Sequence, residues 1–182
     1  MIKFDKRFLQ RLRVPLGFVF AAVFLIFSRP TVTTMVIGSV IAVLGLAIRG
    51  WASGHIRKAS TLAISGPYAY TRNPLYLGSF LMGVGFTIAA GVWWLALAFA
   101  ILFLGIYFPV MRVEVEDMRR IFGSEFDDYE SNVPLFFPRF TVWRQTGTKF
   151  DSELYLRYRE YRAAIGVAAA IGVLAAKALF LS

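Results

Sequence analysis

Side chains that could do chemistry are concentrated in a short stretch rich in tyrosine, proline and glycine, residues 66–78. It reads Gly-Pro-Tyr-Ala-Tyr-Thr-Arg-Asn-Pro-Leu-Tyr-Leu-Gly. Glycine and proline fix the backbone of such a stretch, so its aromatic rings and hydroxyl groups can be held at defined positions. Composition alone leaves two interpretations open: a site for a small molecule, or an interfacial loop whose tyrosines belong to an aromatic belt at a membrane surface.

A second polar stretch begins at Arg112 and reads Arg-Val-Glu-Val-Glu-Asp-Met-Arg-Arg-Ile-Phe-Gly. The pattern predicts that the preceding helix continues through it and ends at Gly123, because glycine is common just beyond helix C-termini. Glu114 could act as a base or accept from a cationic group, or it could be a solvated acid paired with Arg112 or Arg119. Arg112 could orient a substrate carboxylate or face lipid phosphates.

Composition restricts the other chemistries. The chain has no cysteine, so a thiolate nucleophile is unavailable, and its one histidine, His55, cannot build a zinc site alone. We predict no metal site and expect His55 to be a surface or interfacial residue without a role. The net charge is +9, but the bases lie in short stretches between apolar runs in a chain that is 58% hydrophobic. This pattern favours anionic lipid headgroups over nucleic acid as the counter-charge.

Uncharged runs predict where helices cross the bilayer, because a charge at its centre costs about 2.5 to 3.5 kcal/mol. The run 73–111 has no charge over 39 residues. As one helix it would measure about 58 Å, roughly twice the hydrocarbon core, so it must turn back, and Ala89-Ala90-Gly91 is the expected turn. We therefore predict an all-α, single-domain integral membrane bundle of about five transmembrane helices. The predicted spans are about 14–28, 30–48, 74–90, 92–111 and 163–182.

The distribution of positive charge predicts the orientation of this bundle. Of the 20 lysines and arginines, only Arg29 and Lys177 fall on or toward one side. By the positive-inside rule the other side is cytoplasmic, so the polar segments 49–73 and 112–162 and the active site should face the cytoplasm. We expect a multi-pass protein of the inner membrane if the source is bacterial, with membrane lipids as neighbours.

Three further features are predicted from local pattern. Lys177 should snorkel from near a helix end, and Asp151–Arg162 should form an interfacial amphipathic helix that leads into the last span. Glycines in the apolar runs should allow close helix packing. These glycines are Gly45, Gly83 and Gly85.

The order of residues in the two polar stretches resembles the membrane methyltransferase superfamily that contains isoprenylcysteine carboxyl methyltransferases and phospholipid N-methyltransferases. Its members carry a pattern like His-x-Leu, Gly-Pro-Tyr and Arg-His-Pro-x-Tyr-x-Gly, then, one helical hairpin later, an acidic helix, Phe-Gly, two aromatic positions and Val-Pro. The match covers roughly residues 36–140. Its counterparts here are Leu62, Gly66-Pro67-Tyr68, Arg72 to Gly78, Glu114, Phe122-Gly123, Phe126, Tyr129 and Val133-Pro134.

The resemblance implies a cofactor, S-adenosylmethionine, in a pocket at the cytoplasmic membrane surface. The implied cofactor contacts are Ser60, Thr61, Leu62, Ala63, Tyr68, Asn73, Pro74, Leu75, Tyr76 and Glu114. Glu114 and Arg112 are the candidates for catalysis. Two departures matter, because Ser60 and Asn73 stand where the best-known members have histidines, and hydrogen bonding to the cofactor must differ there. A third is Val115, where a second acidic residue is usual.

The implied function is methyl transfer to an amphiphilic, membrane-partitioned acceptor, either a carboxylate as in isoprenylcysteine or a lipid amine. One alternative is an NADPH-dependent membrane reductase of the steroid 5-alpha-reductase type. In that class an acidic residue typically follows the Tyr-x-Gly step, whereas Ser79 follows Gly78 here. The other alternative is a non-enzymatic lipid-binding membrane protein that retains the fold, which the absence of both family histidines favours.

Overall fold

The computed structural model describes residues 6–57 and 61–180, with side chains from residue 15 onward. Helices make up 74% of it, and those residues contain no strand, which confirms the all-α prediction. A short 3-10 helix spans Gly66–Ala69. The helices are α1 (Lys6–Phe27), α2 (Val32–Ser53), α3 (Pro74–Ala89), α4 (Trp93–Phe122), α5 (Ser124–Asn132), α6 (Ser152–Arg157) and α7 (Tyr161–Phe180).

Three of these helices, α2, α4 and α7, are long and apolar enough to cross a membrane. Helix α3 and the segment Pro15–Phe27 of α1 are apolar but shorter. Their positions follow the five apolar segments expected from the sequence, with bounds that differ by up to several residues. The number of membrane crossings itself stays a prediction.

The two ends of the bundle are named by the residues that form them. The far end contains the turns at 28–31 and 90–92, and the motif end contains residues 66–78. At the far end α3 ends at Ala89 and α4 begins at Trp93, which confirms the predicted turn. Gly91 has φ of 68°, and a Cβ there would lie 2.5 Å from the carbonyl oxygen of Arg29. Glycine is therefore required where the two turns touch.

Helices α2 and α3 run antiparallel and contact each other through their backbones. A Cβ on Gly38 would lie 2.3 Å from the carbonyl oxygen of Gly85, and one on Gly45 would lie 2.5 Å from that of Gly78. The predicted packing role is confirmed for Gly45 and Gly85, and Gly83 makes room for the ring of Phe99. These contacts bring the first turn of α3 close to the C-terminal end of α2.

Helix α4 continues beyond its apolar part, as the sequence predicted. It contains a π-helical turn, Phe103–Tyr107, followed by Pro109. Proline has no N–H to donate to the carbonyl four residues back, and a π turn is one way in which a helix accommodates the lost bond. The helix ends at Gly123, whose φ of 53° allows the break before α5.

One prediction for the C-terminal part is wrong. The expected amphipathic helix over 151–162 is only the six-residue α6, because Arg159 adopts a φ of 55°, which interrupts the helix before α7. That Lys177 snorkels to a membrane interface stays a prediction. Its ammonium group donates to the carbonyl oxygens of Leu25 and Ile26, at 2.7 and 3.0 Å, and so caps the C-terminal end of α1.

Candidate active site

The two polar stretches singled out in the sequence meet at a single hydrogen bond. The Tyr76 hydroxyl donates to the Glu114 carboxylate at 2.8 Å, although the residues are 38 positions apart. Tyr76 is in the first turn of α3, which Pro74 opens, since proline at this position forgoes an N–H that would have no helical partner. Glu114 is on α4, beyond its apolar part. The fold thus joins the tyrosine of one motif to the acid of the other.

Aromatic side chains form a continuous wall from this pair into the apolar part of the bundle. The ring of Tyr107 meets that of Tyr76 edge-on at 5.8 Å and stacks on Phe103 at 5.0 Å. Phe80 and Phe136 both contact Phe103, at 4.9 and 5.6 Å. Tyr107 belongs to the π-helical turn of α4, and such turns are frequent at functional sites. The wall offers flat, electron-rich faces next to a carboxylate.

Tyr68 places an unsatisfied polar group at the same end of the bundle. Its side chain is 6% exposed, and no described residue forms a hydrogen bond with its hydroxyl. Burial, reinforced by Tyr129, raises the pKa of Tyr68 well above its usual range, and Glu114 and Glu160 act in the same direction while Arg49 opposes them. The hydroxyl is therefore protonated at neutral pH and can donate a hydrogen bond. Buried polar groups are rarely left unpaired, so this one fits a group supplied by a ligand.

The segment that follows α5 holds the loop before α3 in place. The backbone N–H of Arg72 donates to the Pro134 carbonyl at 2.9 Å, and the Asn73 side-chain amide donates to the Leu135 carbonyl at 3.0 Å. The Thr71 hydroxyl donates to the carbonyl of Phe136, the residue after Leu135, at 2.8 Å. At the position where the family has a histidine, the NH2 group of Asn73 is thus used to fix the loop.

A charged network secures α5 against the same loop. Arg72 pairs with Glu130 at 2.5 Å, and Glu130 also pairs with Arg119. Arg119 in turn pairs with Asp127 at 3.0 Å, so it is engaged with α5, whereas Glu114 accepts from Tyr76. The Arg72 Nε atom is buried and has no hydrogen-bond partner within the described residues.

The other predicted site residues occupy varied positions. Pro74 is buried, Leu75 and Ala63 are half-buried, and Thr61 is exposed, while Ser60 lies outside the described residues. The side chain of Leu62 packs against a cluster that contains Phe126, Tyr129 and Val133. Arg112 is exposed, and its guanidinium lies 4.9 Å from the centre of the Phe108 ring.

Sequence reasoning missed two residues next to the site and misjudged a third. Arg49 and Glu160 form a two-pronged ion pair close to the first turn of α3, with Glu160 only 8% exposed. Each charge borders an apolar run in the sequence, which is the signal that could have suggested a pairing. The expectation for His55 was wrong, since it is 8% exposed and its Nδ1 atom lies 3.0 Å from the Ser65 hydroxyl. Its surroundings combine residues from nearby in the chain, such as Trp51 and Ser65, with the distant ring of Phe150.

Fold and site together define an all-helical protein with helices able to cross a membrane and a half-buried tyrosine–carboxylate site at one end. A model of the phospholipid methyltransferase family matches residues 23–125, which include α2, α3, α4 and the Tyr76–Glu114 pair. The chain belongs to this family. The match ends shortly after Gly123, so α6 and α7 lie outside it.

Two curated bacterial proteins are similar to the chain. It is 35% identical over 123 residues to the nickel-cobalt-cadmium resistance protein NccN of Alcaligenes xylosoxydans, covering 66% of this chain and 56% of that protein. It is 35% identical over 150 residues to the cobalt-zinc-cadmium resistance protein CzcN of Cupriavidus metallidurans, covering 75% of this chain and 66% of the relative. The matched segments thus span little more than half and about two thirds of those relatives. No solved structure shows significant similarity.

Proposed function

We propose that this protein transfers a methyl group from S-adenosylmethionine to an amphiphilic acceptor that partitions into the membrane. The observation that carries the proposal is the hydrogen bond from Tyr76 to Glu114, which joins the two motif blocks inside the family-matched segment. Family membership supports methyl transfer, and it favours this function over the nicotinamide-dependent reductase and over a lipid-binding protein without activity.

The side chains at the motif end suit the proposed cofactor. When bound, S-adenosylmethionine would supply a methyl group on a sulfonium, and the electron pair of the breaking C–S bond would stay with sulfur as the acceptor bonds to carbon. The carboxylate of Glu114 and the rings of Tyr76 and Tyr107 would suit a cation and a flat base. The protonated hydroxyl of Tyr68 would be a donor for a polar group of the ligand.

The protein would contribute alignment and exclusion of water, since methyl transfer from a sulfonium needs no nucleophile from the enzyme. For an amine acceptor, Glu114 would take the proton that the methylated nitrogen releases. A carboxylate acceptor releases no proton and would need a cation to orient it. The family description, phospholipid methyltransferase, favours the amine. Arg112 remains a candidate for orienting a carboxylate, although it lies over Phe108 in this structure.

We further propose that the cofactor enters from the cytoplasm and the acceptor enters laterally from the lipid. The aromatic wall from Tyr76 to Phe80 and Phe136 supports this path, because it connects the polar pair to the apolar part of the bundle. An apolar tail lying along the wall would place its polar head next to Glu114. The bilayer would thereby concentrate the acceptor and exclude water-soluble amines.

The relatives' names connect those proteins with resistance to nickel, cobalt, zinc or cadmium. Within the residues whose side chains the structure describes, 15–57 and 61–180, no three histidine, aspartate or glutamate side chains are grouped closely enough to hold a metal ion. If this chain contributes to metal resistance, we propose that it does so by modifying a membrane lipid, which changes the charge or packing of the bilayer surface that the metals meet.

The test is calorimetric titration of S-adenosylmethionine, and separately of NADPH, into the detergent-purified protein. We expect saturable binding of the methyl donor that is weakened at least about tenfold in Tyr76→Ala and Glu114→Ala. Glu125→Ala, which removes an exposed carboxylate on α5, is the control and should bind normally. Transfer of labelled methyl into extracted lipid would then identify the acceptor. Binding of NADPH alone would replace this proposal with the reductase, and binding of neither would favour a protein without activity.

A further inference from the structure

Arg49 crosses from α2 to the first turn of α3 at the motif end. It can do so because residue 78 is glycine: a Cβ there would lie 2.5 Å from the Cγ atom of Arg49. One terminal nitrogen, Nη1, then donates to the Ser79 hydroxyl at 2.5 Å and to the Leu75 carbonyl oxygen at 3.3 Å. The guanidinium therefore contacts Leu75, which precedes Tyr76, and Ser79, which follows it three residues later in α3.

The remaining nitrogens of Arg49 are used by the C-terminal part of the chain. Its Nε atom donates to one carboxylate oxygen of Glu160 at 2.6 Å, and its Nη2 atom donates to the other at 3.0 Å. This two-pronged geometry fixes both the distance and the orientation of the carboxylate. Removing either member would leave the other charge without its main partner in a nearly buried position.

The elbow between α6 and α7 directs Glu160 toward Arg49. Arg159 adopts a φ of 55°, a backbone conformation that residues other than glycine rarely take. Glu160 is the next residue. The N–H of Glu160 donates to the Tyr155 carbonyl at 3.2 Å, and its carbonyl accepts from Ala163 at 2.9 Å. A sharp turn at this point aims the carboxylate into the bundle, where a continuous helix would present a different face.

We propose that Glu160 is a positioning residue of the active site, acting through Arg49 and the first turn of α3 to hold the Tyr76 hydroxyl against Glu114. This inference rests on the proposed function for the ligand of the site. It extends the site into a part of the chain outside the family-matched segment 23–125. Buried ion pairs contribute little net stability compared with apolar packing, so a geometric role accounts better for this pair.

A purely structural role would be to fasten α7 to the bundle, and the chain offers a matched control for it. Lys177 fastens the same helix at its opposite end, through hydrogen bonds to the carbonyls of Leu25 and Ile26. If Glu160 merely fastens α7, Glu160→Gln and Lys177→Met should have similar consequences at the site. If Glu160 positions Tyr76, only Glu160→Gln should affect it.

The first measurement is hydrogen exchange by mass spectrometry on the full chain in detergent, without any ligand. We expect amides in 74–82 to exchange at least about threefold faster in Glu160→Gln than in the wild type, and at the wild-type rate in Lys177→Met. Unchanged exchange in Glu160→Gln, or an equal increase in both variants, would overturn the proposal. Should Glu160→Gln fail to fold, Glu160→Asp keeps the charge but shortens the reach, and the same comparison applies to it.

The second measurement is the affinity for S-adenosylmethionine in a double-mutant cycle with Tyr76→Phe. We expect Glu160→Gln to weaken binding about tenfold alone but less than about threefold in the Tyr76→Phe protein, because the two residues act on one hydroxyl. Lys177→Met should change affinity less than about twofold in either background. Fully additive effects would refute the positioning role. If the wild type binds no S-adenosylmethionine, the proposed function fails, and the exchange measurement still decides the role of Glu160.

Discussion

At the far end of the bundle the polar groups of the two turns pair with one another, whereas at the motif end two buried polar atoms have no partner among the described residues. Thr31 and Thr34 cap α2 reciprocally, and the N–H of Arg29 donates to the Ala90 carbonyl at 2.7 Å. The unpaired atoms are the Tyr68 hydroxyl and the Arg72 Nε.

This difference indicates what each end is built for. A far end whose capping and turn groups pair with one another gains stability and needs no further contact. At the motif end the polar groups are held by neighbouring backbone and by the Arg72–Glu130 pair, yet the buried Tyr68 hydroxyl has no partner among the described residues. Incomplete pairing inside an otherwise well-ordered region is typical of a binding site, where a ligand completes the hydrogen bonds.

The largest expected effect separates α2 from α3 in the half of the bundle next to the far end. Gly38→Val places a side chain where even a Cβ would lie 2.3 Å from the Gly85 carbonyl oxygen, so α2 and α3 must separate. We expect a loss of about 3 kcal/mol in the free energy of unfolding, measured by denaturation in detergent. Gly172→Val is the matched control, since apart from the backbone of its own helix and its two chain neighbours no described atom lies within 4 Å of its Cβ position. Similar losses in both variants would contradict the close α2–α3 contact.

A second experiment compares two tyrosines at the motif end. The Tyr129 hydroxyl donates to the Tyr68 carbonyl at 2.7 Å, so Tyr129→Phe should cost about 1 kcal/mol of stability. The Tyr68 hydroxyl has no partner, so Tyr68→Phe should leave stability unchanged or slightly raised while weakening S-adenosylmethionine binding about fivefold. Thermal unfolding and calorimetry check the two expectations. A loss of stability in Tyr68→Phe without a loss of affinity would show that the hydroxyl is structural.

The smallest expected effect is a pH dependence confined to the motif end. Burial lowers the pKa of His55 from 6.5, so the folded protein binds a proton less readily than the unfolded chain. Stability is therefore full above pH 6.5 and declines as the pH falls below it. His55→Gln should flatten this part of the profile, and His55 is the only histidine in the chain. The check is the melting temperature of both proteins between pH 5.5 and 7.5, and a profile unchanged by the substitution would contradict the burial of a neutral imidazole.

The local features of the fold followed from the sequence. The turn after Ala89 and the helix stop at Gly123 were predicted from chain length between charges and from glycine. The prediction of one amphipathic helix over 151–162 was wrong, because a run of polar and apolar residues at helical spacing does not reveal that Arg159 takes a positive φ. Glu160 directly follows this residue and pairs with Arg49 of α2, a contact that the local pattern does not indicate.

For the candidate site, residue types and spacing were sufficient to select Tyr68, Tyr76 and Glu114, because the motif blocks resemble those of a family. Their arrangement was decided by the tertiary structure. The Tyr76 hydroxyl donates a hydrogen bond to Glu114, and the buried Tyr68 hydroxyl has no hydrogen-bond partner among the described residues. Hydrophobic runs and turn residues act over a few positions along the chain, so the sequence by itself determined helices and turns. The pairing of Arg49 with Glu160, 111 residues apart, was decided by helix packing, since only the fold sets which distant charges share one buried space.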